Sequence, residues 1–166
     1  MLSVLRRVAA VFALAGSAIA LGTGVMVVTS VALRALITKP IPGDVELTQF
    51  GVALAISLAL PWCQLHGSNI IVDFFTQKLH PRANRALDGI GCLLISIMCA
   101  LLAWRTGVGA VSVREAHEAS MILDLPMWWV YASLAPGLAL AALVALVQAV
   151  MHLRGDAMGA LTGHRA

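Results

Sequence analysis

Apolar residues fill four long stretches of this chain, and polar residues collect in the short gaps between them. Val8 to Leu33, Leu47 to Leu65 and Leu125 to Leu153 carry no acidic or basic residue apart from one histidine, His152. A bilayer crossing takes about 20 predominantly apolar residues, so two of these stretches are long enough outright and Leu47–Leu65 nearly so. The remaining stretch, Gly89 to Trp104, has 16 residues. At about 1.5 Å per residue that reaches roughly 24 Å, short of a core of about 30 Å. Extending it through Arg105 into Thr106–Val111, and back toward Pro81, makes one long helix; proline suits a first helical turn. The pattern predicts an all-α membrane protein of one domain, 1–166, with spans at about 8–33, 46–65, 86–111 and 125–153 and a tail at 154–166.

The first stretch has the marks of a secretory leader, with Arg6 and Arg7 ahead of an apolar run and the small residues Ala18-Ile19-Ala20 within it. Its apolar run continues to Leu33, much longer than the 7–15 residues of a leader, which favours a retained helix.

Composition narrows the class. Hydrophobic residues make up 60% of the chain and charged residues 11%, with a mean hydropathy of +0.92. Soluble domains carry about 25% charged residues, so this inventory cannot cover a water-facing surface, and it predicts a compact bundle in lipid. The net charge of +3 comes without a basic cluster interleaved with aromatics, which excludes a nucleic-acid surface. Cys63, Cys92 and Cys99 have no CxxC spacing, so neither a disulfide framework nor a zinc site is implied. Cys92 and Cys99, seven residues apart, fall on one helix face as small packing residues.

Orientation follows from Lys and Arg. Arg6, Arg7, Lys78, Arg82, Arg85, Arg154 and Arg165 flank one side; Arg34, Lys39, Arg105 and Arg114 flank the other. The richer side is cytoplasmic, which puts both termini and the middle loop inside. Asp44, Glu46, Glu115, Glu118 and Asp124 then crowd the outer loops, with Trp104, Trp128 and Trp129 at the outer interface and Trp62 at the inner one.

Small residues recur every four positions: Gly16, Ala20 and Gly24; Gly51, Ala55 and Ala59; Gly137, Ala141, Ala145 and Ala149. Such ridges let helix backbones approach closely in lipid. Pro136 removes one backbone donor and is expected to kink the last helix.

Candidate chemistry is sparse. Arg105 is the main ionisable residue within a span, and it can snorkel to the interface. Glu46, at the start of the second span, is placed to pair with Arg105 or Arg34 as a structural ion pair. Arg114 and Glu118 sit at i, i+4 as an exposed helix pair. Axial haem ligands would have to lie within the helices, whereas His66, His80, His117, His152 and His164 occupy loops, edges and the tail. The first span has no acidic residue of the kind a small multidrug pump uses. His66 and Asp73 are too few to hold a metal and read as solvated loop residues. No phosphate loop, nucleophile elbow or carboxylate dyad is present, so no enzyme activity, cofactor or metal is expected.

The middle loop departs from this monotony. Ser68 or Asn69 can cap a short helix in which Ile71, Phe74, Phe75 and Leu79 share one face, opposite Asp73, Thr76 and Gln77. An amphipathic segment of this kind lies in the cytoplasmic interface, its apolar face in lipid or on a partner.

From about Val25 to Val150 the sequence resembles the small membrane subunit, DctQ-like, of tripartite ATP-independent periplasmic (TRAP) transporters. Val31-Ala32-Leu33-Arg34 and Pro42-Gly43-Asp44-Val45-Glu46-Leu47 look like the arginine closing helix one and the glutamate opening helix two. Gly67-Ser68-Asn69-Ile70-Ile71-Val72-Asp73 is similar to the loop motif, with Asn69 where many members carry histidine and Ile71 where many carry arginine. Pro81-Arg82-Ala83-Asn84-Arg85-Ala86-Leu87-Asp88 resembles the start of helix three. Ser120-Met121-Ile122-Leu123-Asp124-Leu125-Pro126-Met127-Trp128-Trp129-Val130-Tyr131 resembles the lead into helix four. The resemblance implies a non-catalytic permease subunit in a bacterial inner membrane. Its partners would be a large multi-span subunit and a periplasmic binding protein that captures an organic anion, often a carboxylate. Sodium coupling would reside in the large subunit, and this chain would serve as scaffold. Arg34, Glu46, Asn69, Asp73, Phe74, Phe75, Arg105, Pro126 and Trp128 are then structural or partner-interface residues. The rival class is a stand-alone four-helix exporter or the membrane anchor of a redox complex.

Overall fold

The computed structural model describes residues 2–38, 41–66 and 81–154. They form α1 (Leu2–Ile37), α2 (Asp44–Leu65), α3 (Pro81–Glu115) and α4 (Trp128–Arg154). All four contain windows long and apolar enough to cross a membrane. The segment carrying Asn69, Asp73, Phe74 and Phe75 lies outside the described residues. Leu2, Leu65, Pro81 and Arg154 mark one end of the molecule, here the termini end. Ile37, Asp44, Glu115 and Trp128 mark the other, the turn end.

The helices do not close into the compact bundle expected from composition. They pack as a row in the order α1–α2–α4–α3: α1 lies along α2, α2 along α4, and α4 along α3, while α1 barely touches α4. A row leaves the outer faces of α1 and α3 uncovered, which lipid tolerates because no hydrophobic force between helices compels closure.

The seams have a shorter period than the expected ridges. On α1 a seam of buried and half-buried positions runs through Leu5, Ala9, Phe12, Gly16, Ile19, Thr23, Met26, Ser30 and Leu33 in alternating steps of four and three, with Ala10, Ala13 and Val27 half-buried beside it. Of the ridge Gly16, Ala20 and Gly24, only Gly16 is buried, while Ala20 and Gly24 are exposed. A Cβ at Gly16 would stand 2.9 Å from the Ala55 carbonyl oxygen, whereas one at Gly24 would meet nothing within 4 Å. On α3 the same alternation picks out Gly89, Cys92, Ser96, Cys99, Ala103, Thr106, Ala110 and Val113. Steps averaging 3.5 residues are the signature of a left-handed crossing of about 20°. Gly137, Ala141, Ala145 and Ala149 are all buried on α4, and a Cβ on Gly137 would run into the backbone and hydroxyl of Ser57.

Among the described residues, two small clusters make up the core. At the termini end Ala9, Leu65, Val144 and Met151 meet, with Leu5, Trp62 and Val147 around them. Nearer the middle Cys99, Ala141 and Ala142 pack with Leu60 and Ile95. Burial of Cys92 and Cys99 on one face of α3 fits their reading as packing residues.

Candidate functional site: the polar clasps at the two ends

At the turn end, Gly43 precedes α2 with φ 71°, a left-handed conformation that glycine adopts at no steric cost. It is also pressed against the Leu123 side chain. Asp44 and Glu46 occupy the first turn of α2, where negative charge complements the helix dipole. The Ser30 hydroxyl donates to Asp44 Oδ2 at 2.6 Å, and the Val45 N–H donates to Asp44 Oδ1 at 2.8 Å. One carboxylate thus ties α1 to the start of α2.

Glu46 does not form the ion pair expected with Arg105 or Arg34. Its Oε1 accepts the Ile122 N–H at 3.1 Å, and the Ser120 hydroxyl and the backbone of Met121 and Leu123 also face the carboxylate. Oε2 is buried without a partner of hydrogen-bonding geometry. The preference is geometric: successive N–H groups in a tight turn converge on an anion, while Arg34 and Arg105 are exposed on other helices.

The turn that Glu46 holds is a small antiparallel loop. Ala119 and Pro126 form an isolated bridge. The Ser120 N–H donates to Leu125 O at 2.9 Å, and the Met127 N–H to Glu118 O at 3.1 Å. Asp124 and His117 adopt left-handed φ values of 51° and 52° in the tight backbone. Met121 at the tip is fully exposed. Helix α3 ends at Glu115, so Glu118 is not one helical turn from Arg114, and the expected pair between them gives way to another. The Arg114 guanidinium lies 5.3 Å from the centre of the Trp128 ring, a cation–π contact joining the end of α3 to the start of α4. These residues border an open cavity of about 700 Å³ that also includes Val111, His117 and Asp124.

At the termini end sits a cluster that sequence reading missed. Gln148 on α4 is 1% exposed. Its Oε1 accepts from Gln64 Nε2 at 3.0 Å, and its Nε2 donates to the carbonyls of Gln64 at 2.8 Å and Leu65 at 3.4 Å. Those are the last carbonyls of α2, which have no partner within the helix. The Gln148 amide therefore caps α2 from a neighbouring helix. The only signal in the sequence was a glutamine inside an otherwise apolar span. Between the two ends, the Ser57 hydroxyl donates to Leu134 O at 2.8 Å and the Ser96 hydroxyl to Ala142 O at 2.9 Å, fastening α2 and α3 to α4. His66, just past α2, lies against Trp62 with the ring centres 4.3 Å apart and the rings tilted by 43°.

Of the residues singled out in the sequence, the structure brings Glu46 to the turn that carries Pro126 and places Trp128 under Arg114. Arg34 is exposed in the last turn of α1, and Arg105 is exposed on α3. Asn69, Asp73, Phe74 and Phe75 fall outside the described residues.

Comparison with known protein families matches residues 23–155 to the DctQ component of tripartite ATP-independent periplasmic transporters. Neither the curated proteins nor the solved structures compared with the chain give a match.

Proposed function

We propose a scaffold role for this chain, which belongs to the DctQ component family of tripartite ATP-independent periplasmic transporters. It is the small permease subunit of such a system, a transporter component and not an enzyme. The observation that best supports a scaffold is where the buried polar groups are spent. Ser30, Ser57, Ser96, Ser120 and Gln148 are the buried polar residues among those described, and each is hydrogen-bonded within the protein. Transport pathways in membranes are marked by polar side chains facing a cavity or one another at the midplane; here they join helices and the turn.

In this reading the turn end is periplasmic and both termini are cytoplasmic, as the distribution of Lys and Arg favours. The uncovered faces of the row meet lipid and a large multi-span subunit that carries an organic anion, such as a carboxylate, with sodium. The loop 116–127 lies on the side from which a periplasmic binding protein docks. The segment with Ile71, Phe74, Phe75 and Leu79 lies in the cytoplasmic interface, where Phe74→Asp weakens assembly; unchanged complex yield in that variant removes this part of the reading.

Co-expression with a large TRAP permease subunit tests the whole. A tagged copy of this chain is expected to retain that subunit through detergent purification, and uptake in vesicles is expected to need both. Recovery of a stable lone oligomer that transports by itself would assign the chain to the exporter class instead.

A further inference from the structure

Two concave features along α3 meet at one residue. The first is the open cavity of about 700 Å³ at the turn end, whose wall includes Arg114, Glu115, Glu118, Asp124 and Trp128. The second is an apolar groove of about 330 Å³, lined by Ala103, Trp104, Gly107, Val108 and Val111. Val111 borders both. From Ala103 to Val111 the groove covers about 12 Å of helix, and Arg114 follows about 5 Å later. At Gly107 the groove is open, since a Cβ there would meet nothing within 4 Å. Trp104 stands near the far end of the groove, about 15 Å along the helix from Arg114. Arg114 is the residue that meets Trp128, so Trp104 and Trp128 do not share the level expected from sequence.

The chemistry changes in one direction along this surface. The apolar windows of α3 and α4 end at Glu115 and Trp128. The cavity therefore sits where the spans give way to the polar loop, and the groove runs back along the span. At the junction stands one cation, Arg114, with Glu115 beside it and Glu118 and Asp124 in the loop beyond. Three carboxylates against one guanidinium disfavour a simple anion. They suit a ligand that carries a phosphate toward the groove and an ammonium toward the loop.

We propose that this site holds one aminophospholipid of the phosphatidylethanolamine class, from the leaflet at the turn end. Its phosphate lies at Arg114, its ammonium between Glu118 and Asp124, and one acyl chain runs inward over Val111 and Gly107 toward Trp104. The order of groups in the lipid (chain, phosphate, ammonium) is the order of apolar, basic and acidic residues in the protein. A guanidinium can lie on an aromatic ring and still donate two in-plane N–H groups to a phosphate. Tryptophan is at home beside headgroups. The cavity reads the phosphoethanolamine group and the groove reads the chain, so a soluble phosphoethanolamine uses only the first.

The test uses the full chain in nanodiscs of equal parts phosphatidylethanolamine and phosphatidylglycerol, released for native mass spectrometry. It needs no large subunit, so its outcome is separate from that of the scaffold reading. The wild type is expected to keep one phosphatidylethanolamine, preferred at least fivefold over phosphatidylglycerol. Arg114→Gln is expected to lower that retention at least fivefold. Glu118→Gln combined with Asp124→Asn keeps the shapes and removes the ammonium's partners; asparagine also suits the left-handed φ of 51° at position 124. This double variant should lose the preference for phosphatidylethanolamine. Gly107→Leu, which fills the groove, should reduce retention severalfold with the preference unchanged. Equal retention of the two lipids by the wild type would overturn the proposal, as would a preference that survives in the double variant. Displacement of the lipid by glycerophosphoethanolamine, which has no acyl chains, as readily as by phosphatidylethanolamine would overturn the role of the groove and with it the assignment to a lipid.

Discussion

Helices α1 and α4 are about equally apolar over their membrane-spanning windows, yet 6% of one window is buried inside the protein and 44% of the other. The difference comes from place in the row. Helix α1 stands at an edge with one neighbour, and its opposite side shows Leu14, Leu21, Val25 and Val28. Helix α4 stands between α2 and α3 and is buried on two sides through Gly137, Ala141, Ala142, Val144, Ala145, Gln148 and Ala149. In water such a difference in burial would be written as a difference in hydrophobicity. In lipid both faces of a helix want apolar side chains, and the packed face differs in size and hydrogen bonding instead.

The sharpest way to break this comparison is to enlarge one glycine on each helix. Gly137→Leu must displace the Ser57 backbone and is expected to cost about 3 kcal/mol or drive α2 and α4 apart. Gly24→Leu on α1 points into open space and should change stability by no more than about 0.5 kcal/mol. Unfolding of the purified chain in detergent would measure both; equal losses would mean that α1 is as enclosed as α4.

A second contrast uses polar groups. Gln148→Leu removes the cap from the last carbonyls of α2 and strands the Gln64 amide, at an expected cost of about 2 kcal/mol. Ser17→Ala on α1 removes a hydroxyl that bonds only the Ala13 carbonyl of its own helix and should leave the unfolding midpoint in place. A Gln148→Leu variant as stable as wild type would show that water takes over the capping.

Within α1 itself the two faces should answer oppositely. Gly16→Ala puts a methyl against the Ala55 carbonyl and is expected to destabilise by about 1 kcal/mol. Gly22→Ala, with nothing within 4 Å, should stabilise by about 0.5 kcal/mol through helix propensity. Thermal shifts of the same sign would refute the assigned packing face.

The smallest effect is expected at the turn. Glu46→Leu removes the acceptor for the Ile122 N–H and should speed hydrogen exchange at Met121–Leu123 while leaving the helices intact. Glu46→Gln keeps an oxygen acceptor and should exchange like wild type. Acceleration by Gln equal to that by Leu would mean that the carboxylate charge, not the hydrogen bond, holds the turn.

Much of the site was legible only in part. Glu46, Pro126 and Trp128 stand out in sequence because charge, proline and tryptophan gather at span ends. Their partners did not, because the Ile122 N–H and the Arg114–Trp128 contact depend on where α3 stops. Its end at Glu115 turns an expected Arg114–Glu118 helix pair into a cation–π contact. Gln148 was visible as a glutamine in an apolar run, but its acceptors lie 84 and 83 residues away, and no local pattern points to them.

By itself the sequence determined that this is a four-helix membrane protein with a DctQ-like order of motifs. Length and hydropathy decide whether a segment can cross a bilayer, since every backbone polar group must be satisfied within it. Only the tertiary structure decided which helices are neighbours, which face of each is packed, and that the array is a row. Those choices rest on fitting small residues and single hydrogen bonds across seams, such as Gly16 on Ala55 and Gln148 on the end of α2. Hydrophobicity cannot encode them, because lipid and protein interior are nearly the same solvent for an apolar side chain.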